Sequence, residues 1–157
     1  MEKLIKLYTE WSGAEPVSTE QLAGAGSNRQ YYRFTSEDGS TVIGVVGTSR
    51  DENHAFVYLA EHFEQRQLPV PHILAQSADG LRYLQTDLGS TSLFDAIRGG
   101  REAGGRYNQH EKQLLKATIR QLPNIQIRGA RGLDWQNCYP QPEFDEAVSY
   151  THLRAHE

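Results

Sequence analysis

Residues 20–47 hold three extended segments joined by turns too short for a crossover, so neighbouring strands here must run antiparallel. The first follows Pro16 and ends in the small-residue turn LAGAGSNR (residues 22–29). Residues 31–35 (YYRFT) are rich in aromatic side chains that favour a pleated surface. SEDGS (36–40) is a hairpin turn with Asp38 and Gly39 at its tip, and residues 41–46 (TVIGVV) form an apolar, β-branched strand. Leu4, Ile5, Tyr8 and Trp11 recur at helical spacing before this unit, which predicts a helix over residues 2–12. After it, a helix begins near Asp51 as cap, with Ala55, Phe56, Leu59, Ala60 and Phe63 as its apolar stripe. LPVP (68–71) ends that helix. Residues 73–76 and 81–85 are short strands about the turn Ala78, Asp79, Gly80. Gly89 breaks the pattern, and Ser90 or Ser92 caps a helix to about Arg98. Residues 99–106 are expected as a loop, and residues 108–122 as a helix with Leu114, Leu115, Thr118 and Ile119 inward. Short strand-to-strand steps exclude a doubly wound parallel sheet. The expected class is α+β: a five-stranded antiparallel sheet with one helix packed on it, followed by helices.

Composition removes several functions. The 157 residues carry a net charge of -4, against the basic footprint that nucleic acid requires. Arginines cluster at residues 98–106 and 120–131, and both clusters read as solvated faces. Apolar runs are too short for a membrane span, and the opening is an amphipathic helix rather than a secretory signal. The single cysteine, Cys138, allows no internal disulfide and fits the cytoplasm. His54 and His62 are eight apart, and His152 and His156 lack a carboxylate helper, so no metal site is expected from histidine.

The glycine turn at residues 24–29 lies between two strands, whereas dinucleotide and P-loop sites place theirs between a strand and a helix. A glycine turn between antiparallel strands is the geometry in which kinases lay backbone amides over nucleotide phosphates. Three segments, LAGAGSNRQYYRF (22–34), QRQLPVPHIL (65–74) and YLQTDLGSTSLFDAI (83–97), resemble the phosphate loop, the step after the regulatory helix, and the hinge of the aminoglycoside phosphotransferase/choline kinase superfamily. The nearest branch is that of bacterial N-acetylmuramate and N-acetylglucosamine-type sugar kinases, which PNIQIRGARGLDW (123–135) and CYPQPEFD (138–145) also resemble.

The resemblance implies a protein-kinase-like N-lobe over residues 1–88, then the first helices of an incomplete C-lobe over 89–147. It implies ATP and Mg²⁺ as cofactors, a nucleotide and a small-molecule acceptor as partners, and phosphorylation of an amino-sugar hydroxyl in the intact parent. Gly24, Ala25, Gly26, Ser27 and Asn28 would cover the phosphates, with Arg29 where many kinases have a third glycine. Tyr31 would lie over the adenine, and Gln85, Thr86, Asp87 and Leu88 would be the hinge. The third-strand lysine is absent: Gly44 or Val45 takes its place, and no lysine lies between Lys6 and Lys112. Arg29 or Arg33 is a candidate substitute, while Glu52 and Glu61 read as surface charges. No catalytic aspartate, following asparagine and metal aspartate occur in the family's pattern; GLDWQN (132–137) has the wrong spacing and His110 lacks the aspartate after it. Residues 148–157 (VSYTHLRAHE) do not continue the family's next helix and read as the non-native end of a truncated frame. No catalytic or metal residue is therefore assigned within the chain. The alternative reading is a short non-catalytic module that binds a nucleotide or a partner.

Overall fold

The computed structural model describes residues 1–23 and 28–141, so Gly24, Ala25, Gly26 and Ser27 of the glycine turn and the tail from residue 142 lie outside the described residues. The α+β class holds. Helix α1 (Glu2–Ser12) precedes strands β1 (Ser18–Leu22), β2 (Gln30–Thr35) and β3 (Thr41–Val46). Helix α2 (Arg50–Glu64) leads to β4 (Ile73–Gln76) and β5 (Arg82–Thr86). Short helices α3 (Leu93–Ala96) and α4 (Arg98–Glu102) and the longer α5 (Gln109–Pro123) follow. The sheet has the order β1-β2-β3-β5-β4, with every neighbouring pair antiparallel. This is the element order expected from the resemblance to a kinase N-lobe.

Both faces of the sheet are covered, one helix to each. Leu4, Leu7 and Tyr8 of α1 bury against Tyr32, Phe34, Val42 and Leu84. On the other face Val57 and Phe56 of α2 pack on Ile43, Val45 and Tyr83. The single packed helix expected from sequence is thus joined by a second, and strand β3 shows why. Its unbroken apolar run leaves no polar face to expose to water. The register sets Tyr31 opposite Val45 and Tyr32 opposite Gly44, which puts Gly44 under α1 and Val45 under α2. A Cβ on Gly44 would overlap the Phe34 ring and press on Leu4, so glycine permits the close approach of α1.

Local signals explain the boundaries. Ser49, rather than Asp51, caps α2, its hydroxyl accepting from the Glu52 N–H at 3.2 Å, and Asp51 falls in the first turn. Gly39 and Gly80 have φ of 81° and 69° at the two hairpin tips, the left-handed region that favours glycine. Ser92 caps α3. Residues 99–102, expected as loop, are helical, because the buried Glu111 carboxylate accepts from the Gly100 N–H at 2.9 Å and from the Asn108 N–H at 2.8 Å. The Asn108 side chain in turn accepts from the Glu111 N–H at 3.0 Å, completing a capping box at the start of α5. Leu114 and Leu115 are half-buried, but Thr118 and Ile119 are exposed, contrary to the inward face expected. Among the described residues nothing packs over that part of α5. No described helix is long and apolar enough to cross a membrane.

Candidate functional site

The face of the sheet beneath α2 carries two cross-strand rows. Tyr31, Val45 and Tyr83 form one; Glu20, Arg33, Ile43, Gln85 and Ile73 form the other. The structure therefore brings Tyr31 and Gln85, which sequence placed at opposite ends of the nucleotide reading, onto one surface. Tyr31 is half-buried and packs on the Ile43, Val45 and Tyr83 cluster.

Arg29 lies one residue before β2 and ties the flank of the glycine turn to α2. Its guanidinium is 3.1 Å from a Glu52 carboxylate oxygen and donates to the Glu52 carbonyl at 3.1 Å. It also stands 5.0 Å from the centre of the Phe56 ring, which stacks on Tyr83 at 5.2 Å. Glu52, read from sequence as a surface charge, is thus a half-buried ion-pair partner. The reason is the cap: with Ser49 fixing the helix entry, Glu52 falls in the first turn beside the start of β2. Glu61 is exposed, as expected. The expectation from sequence puts Gly44 or Val45 where a kinase has its third-strand lysine. Here Val45 stands on the α2-facing side of that strand, and the charged link to the helix comes from Arg29.

Arg33 has a different task. It donates to Asp87 through Nε at 2.6 Å and through a terminal nitrogen at 3.2 Å, and it lies 3.6 Å from Glu20. The Asp87 side chain is only 6% exposed, and it also accepts from the Gly89 N–H at 2.8 Å. Hydrogen bonding from Arg33 holds the Asp87 carboxyl below the usual carboxylate range despite burial. Thr86 is engaged as well, its N–H donating to the His72 carbonyl at 3.0 Å and its hydroxyl oxygen accepting from the His72 N–H at 3.0 Å. Leu88 is 72% exposed. The proposed hinge is accordingly a clasped strand end, held across the sheet by Arg33 and along its edge by His72.

Two buried polar atoms of this face, the Tyr83 hydroxyl and Gln85 Oε1, have no hydrogen-bond partner among the described residues. Burial also pushes the Tyr83 hydroxyl pKa upward, so it stays protonated and keeps its donor at any physiological pH. Both atoms are shut off from solvent, so they are unsatisfied groups inside the packed face beneath α2 and are not displayed to a ligand. Among the described residues no three His, Cys, Asp or Glu side chains gather as a metal would need. Open concavities of about 400–600 Å³ lie elsewhere, along α1 and at the C-terminal end of α2.

Sequence reasoning missed two buried polar residues of α2. Asn53 is wholly buried and donates to the Gly80 carbonyl at 3.0 Å, while His62 meets the Gly129 carbonyl at 2.8 Å. Asn53, Val57 and Ala60 do follow the i, i+4, i+7 rhythm of an inward face, so the signal for Asn53 was present behind a polar side chain.

No protein-family model matches the chain, and no curated protein matches it. Among solved structures the chain is similar to a thermostable mutant of aminoglycoside phosphotransferase APH(4)-Ia in its apo form. The TM-score is 0.47 at 20% identity, over 63% of this chain and 34% of that one.

Proposed function

We propose that residues 1–88 are the nucleotide-binding part of an ATP-dependent small-molecule phosphotransferase, with an amino sugar as acceptor in the intact protein. The observation that carries the reading is the surface beneath α2. There the flank of a strand-to-strand glycine turn, through the Arg29 pair with Glu52, is tied to the helix that covers the sheet. The same surface carries Tyr31 and Gln85 in adjacent cross-strand rows. In this reading the amides around Asn28 face the phosphates, and the positive charge of Arg29 stands at their flank in place of the absent lysine. Tyr31 packs along the base, and the backbone of Gln85, Thr86, Asp87 and Leu88 supplies the strand end at its edge. The Arg33–Asp87 pair is a positioning device that holds this end in place.

ATP would supply the transferred phosphoryl group, and Mg²⁺ would offset the phosphate charge. The described residues gather no cluster of three metal-ligating side chains, and this reading places the metal ligands and the base for the acceptor hydroxyl outside them. It predicts that the 157-residue chain binds ATP without turning it over. The test is calorimetric titration with ATP, beside an assay for phosphorylated N-acetylmuramate or N-acetylglucosamine. Saturable binding that weakens in Arg29→Met supports the reading. The absence of saturable ATP binding to a folded chain would end it.

A further inference from the structure

We propose a second, separate site at the C-terminal end of α2 that binds a phosphate dianion, free or as a small phosphomonoester. Arg66, Arg128 and Arg131, with Gln65, line an open concavity of about 400 Å³ there. Sequence gave Arg128 and Arg131 the role of a solvated face, and Arg66 lies more than sixty positions away from both. The tertiary structure brings the three together.

Arg66 is half-buried and Arg128 and Arg131 are exposed, and backbone carbonyls hold two of the three guanidiniums in place. Arg66 Nε donates to the Arg131 carbonyl at 2.8 Å, and one of its terminal nitrogens donates to the His62 carbonyl at 2.9 Å. Arg128 donates to the Arg66 carbonyl at 2.7 Å. Each of these partners is a neutral carbonyl, so the bonds orient the guanidiniums without neutralising them. No carboxylate pairs with any of the three among the described residues, although most arginines on the sheet side have one. Gly132, at φ 66°, brings its backbone so near Arg66 that an added Cβ would stand 3.1 Å from a terminal nitrogen. A residue with a side chain would be strained there and would crowd the guanidinium.

Three like charges on one concavity repel one another, and a bound oxyanion relieves that repulsion. A guanidinium presents five N–H donors in a planar fork that matches phosphate oxygens. Arg66 and Arg128 keep donors beyond those engaged by carbonyls, and the Arg131 side chain makes no hydrogen bond among the described residues. Twelve N–H groups thus remain for a ligand, by subtraction of about three from roughly fifteen. The volume exceeds that of a bare ion and falls in the range of small-molecule sites, which admits an ester substituent. This site is independent of the nucleotide reading. Glu52 and Glu64 are twelve residues apart on α2, about 18 Å along its axis, and Arg66 lies just beyond the end of the helix.

The experiment is NMR of the arginine Nε–H signals in the full 157-residue chain. Inorganic phosphate and glycerol phosphate are titrated separately, with chloride and acetate at matched ionic strength as controls. Saturable shifts of Arg66, Arg128 and Arg131 by either phosphate, and not by the controls, are expected. Tighter binding of glycerol phosphate identifies an ester as the ligand class; binding of inorganic phosphate alone identifies the free ion. Arg131→Gln and Arg128→Gln should each weaken binding roughly tenfold. The Arg131 side chain has no partner to lose, so that variant should keep its melting temperature. Shifts confined to Arg29 would report phosphate at the glycine turn and would overturn this site while leaving the nucleotide reading intact. Equal shifts with chloride, or binding unchanged in both variants, would also overturn it.

Discussion

Residues 1–88 and residues 89–141 bury their surface differently. In the first region α1 and α2 close on opposite faces of the sheet, and Leu4, Phe34, Val45, Tyr83 and Leu84 lose all contact with water. In the second, Ile97 is the buried apolar side chain among the described residues, while Phe94, Ile119 and Ile127 are each more than 60% exposed. What joins the second region to the first is a set of polar contacts along α2. His62 meets the Gly129 carbonyl, the Tyr58 hydroxyl accepts from the Asp134 N–H at 2.8 Å, and His54 meets Asn137 at 3.1 Å. Since a carbonyl only accepts, His62 carries its proton on Nε2. Burial of apolar area drives folding, and a typical hydrogen bond adds about 1 kcal/mol. The sheet region should therefore hold the stability of the chain, with residues 124–141 opening from it at lower cost.

The largest expected effect is on the sheet. Phe34→Ala removes a fully buried ring that meets Tyr8 at 4.9 Å between centroids, and should cost roughly 3–5 kcal/mol in urea denaturation. A value near zero would mean that the two-faced core is not the source of stability.

Next is the clasp at the strand end. Asp87→Asn leaves Arg33, whose side chain is 18% exposed, with only the exposed Glu20 as a charged partner, and should cost roughly 2–3 kcal/mol at pH 7. The sign with pH follows from the depressed carboxyl. Its stabilisation is fully present above the ordinary carboxylate pKa of about 4 and is lost as pH falls below that value. The native chain should lose this stability as pH falls below about 4, and the variant should lose less of it there. Parallel curves for the two would remove Asp87 from the acid response.

A smaller effect tests the tether. Tyr58→Phe deletes the acceptor for the Asp134 N–H and should cost about 1 kcal/mol. The loss should show as faster hydrogen exchange in residues 129–141 with protection of β2 and β3 unchanged. Uniformly faster exchange across both regions would show that they unfold together.

The smallest effect belongs to the open face of α5. Ile119→Ser should change stability by no more than about 0.5 kcal/mol, because the side chain is 62% exposed. Light scattering should fall as apolar surface is removed. A loss of several kcal/mol would show that the side chain is covered in solution.

Much of the first region was legible from local chemistry. Asp38-Gly39 and Asp79-Gly80 marked the hairpins, LPVP marked the helix end, and short connections demanded antiparallel strands. The strands at residues 73–76 and 82–86 fall where their composition put them, the second displaced by one residue. The second region was less legible. Its helix at Arg98–Glu102 contains two glycines and has low intrinsic propensity, and it exists because Glu111, eleven residues from Gly100, accepts its backbone N–H. Asn28, Arg29, Tyr31, Gln85, Thr86, Asp87 and Leu88 are candidates that the sequence alone puts forward, but the contacts that Arg29, Thr86 and Asp87 make could not be read from it.

Periodicity, turn residues and chain connectivity act over a few positions, so the sequence by itself determined an antiparallel α+β fold, its strand order of appearance and most element ends. Which residue of the Gly44–Val45 pair faces α2 depends on pairing register, and only the folded sheet decided it. The same holds for the charges. Arg29 with Glu52, Arg33 with Asp87, and Arg66 beside Arg128 and Arg131 are separated by 23, 54 and 62 or more positions. Coulomb and hydrogen-bond energies fall off over a few ångströms, and distance along the chain carries no information about distance in space until the sheet and α2 are packed.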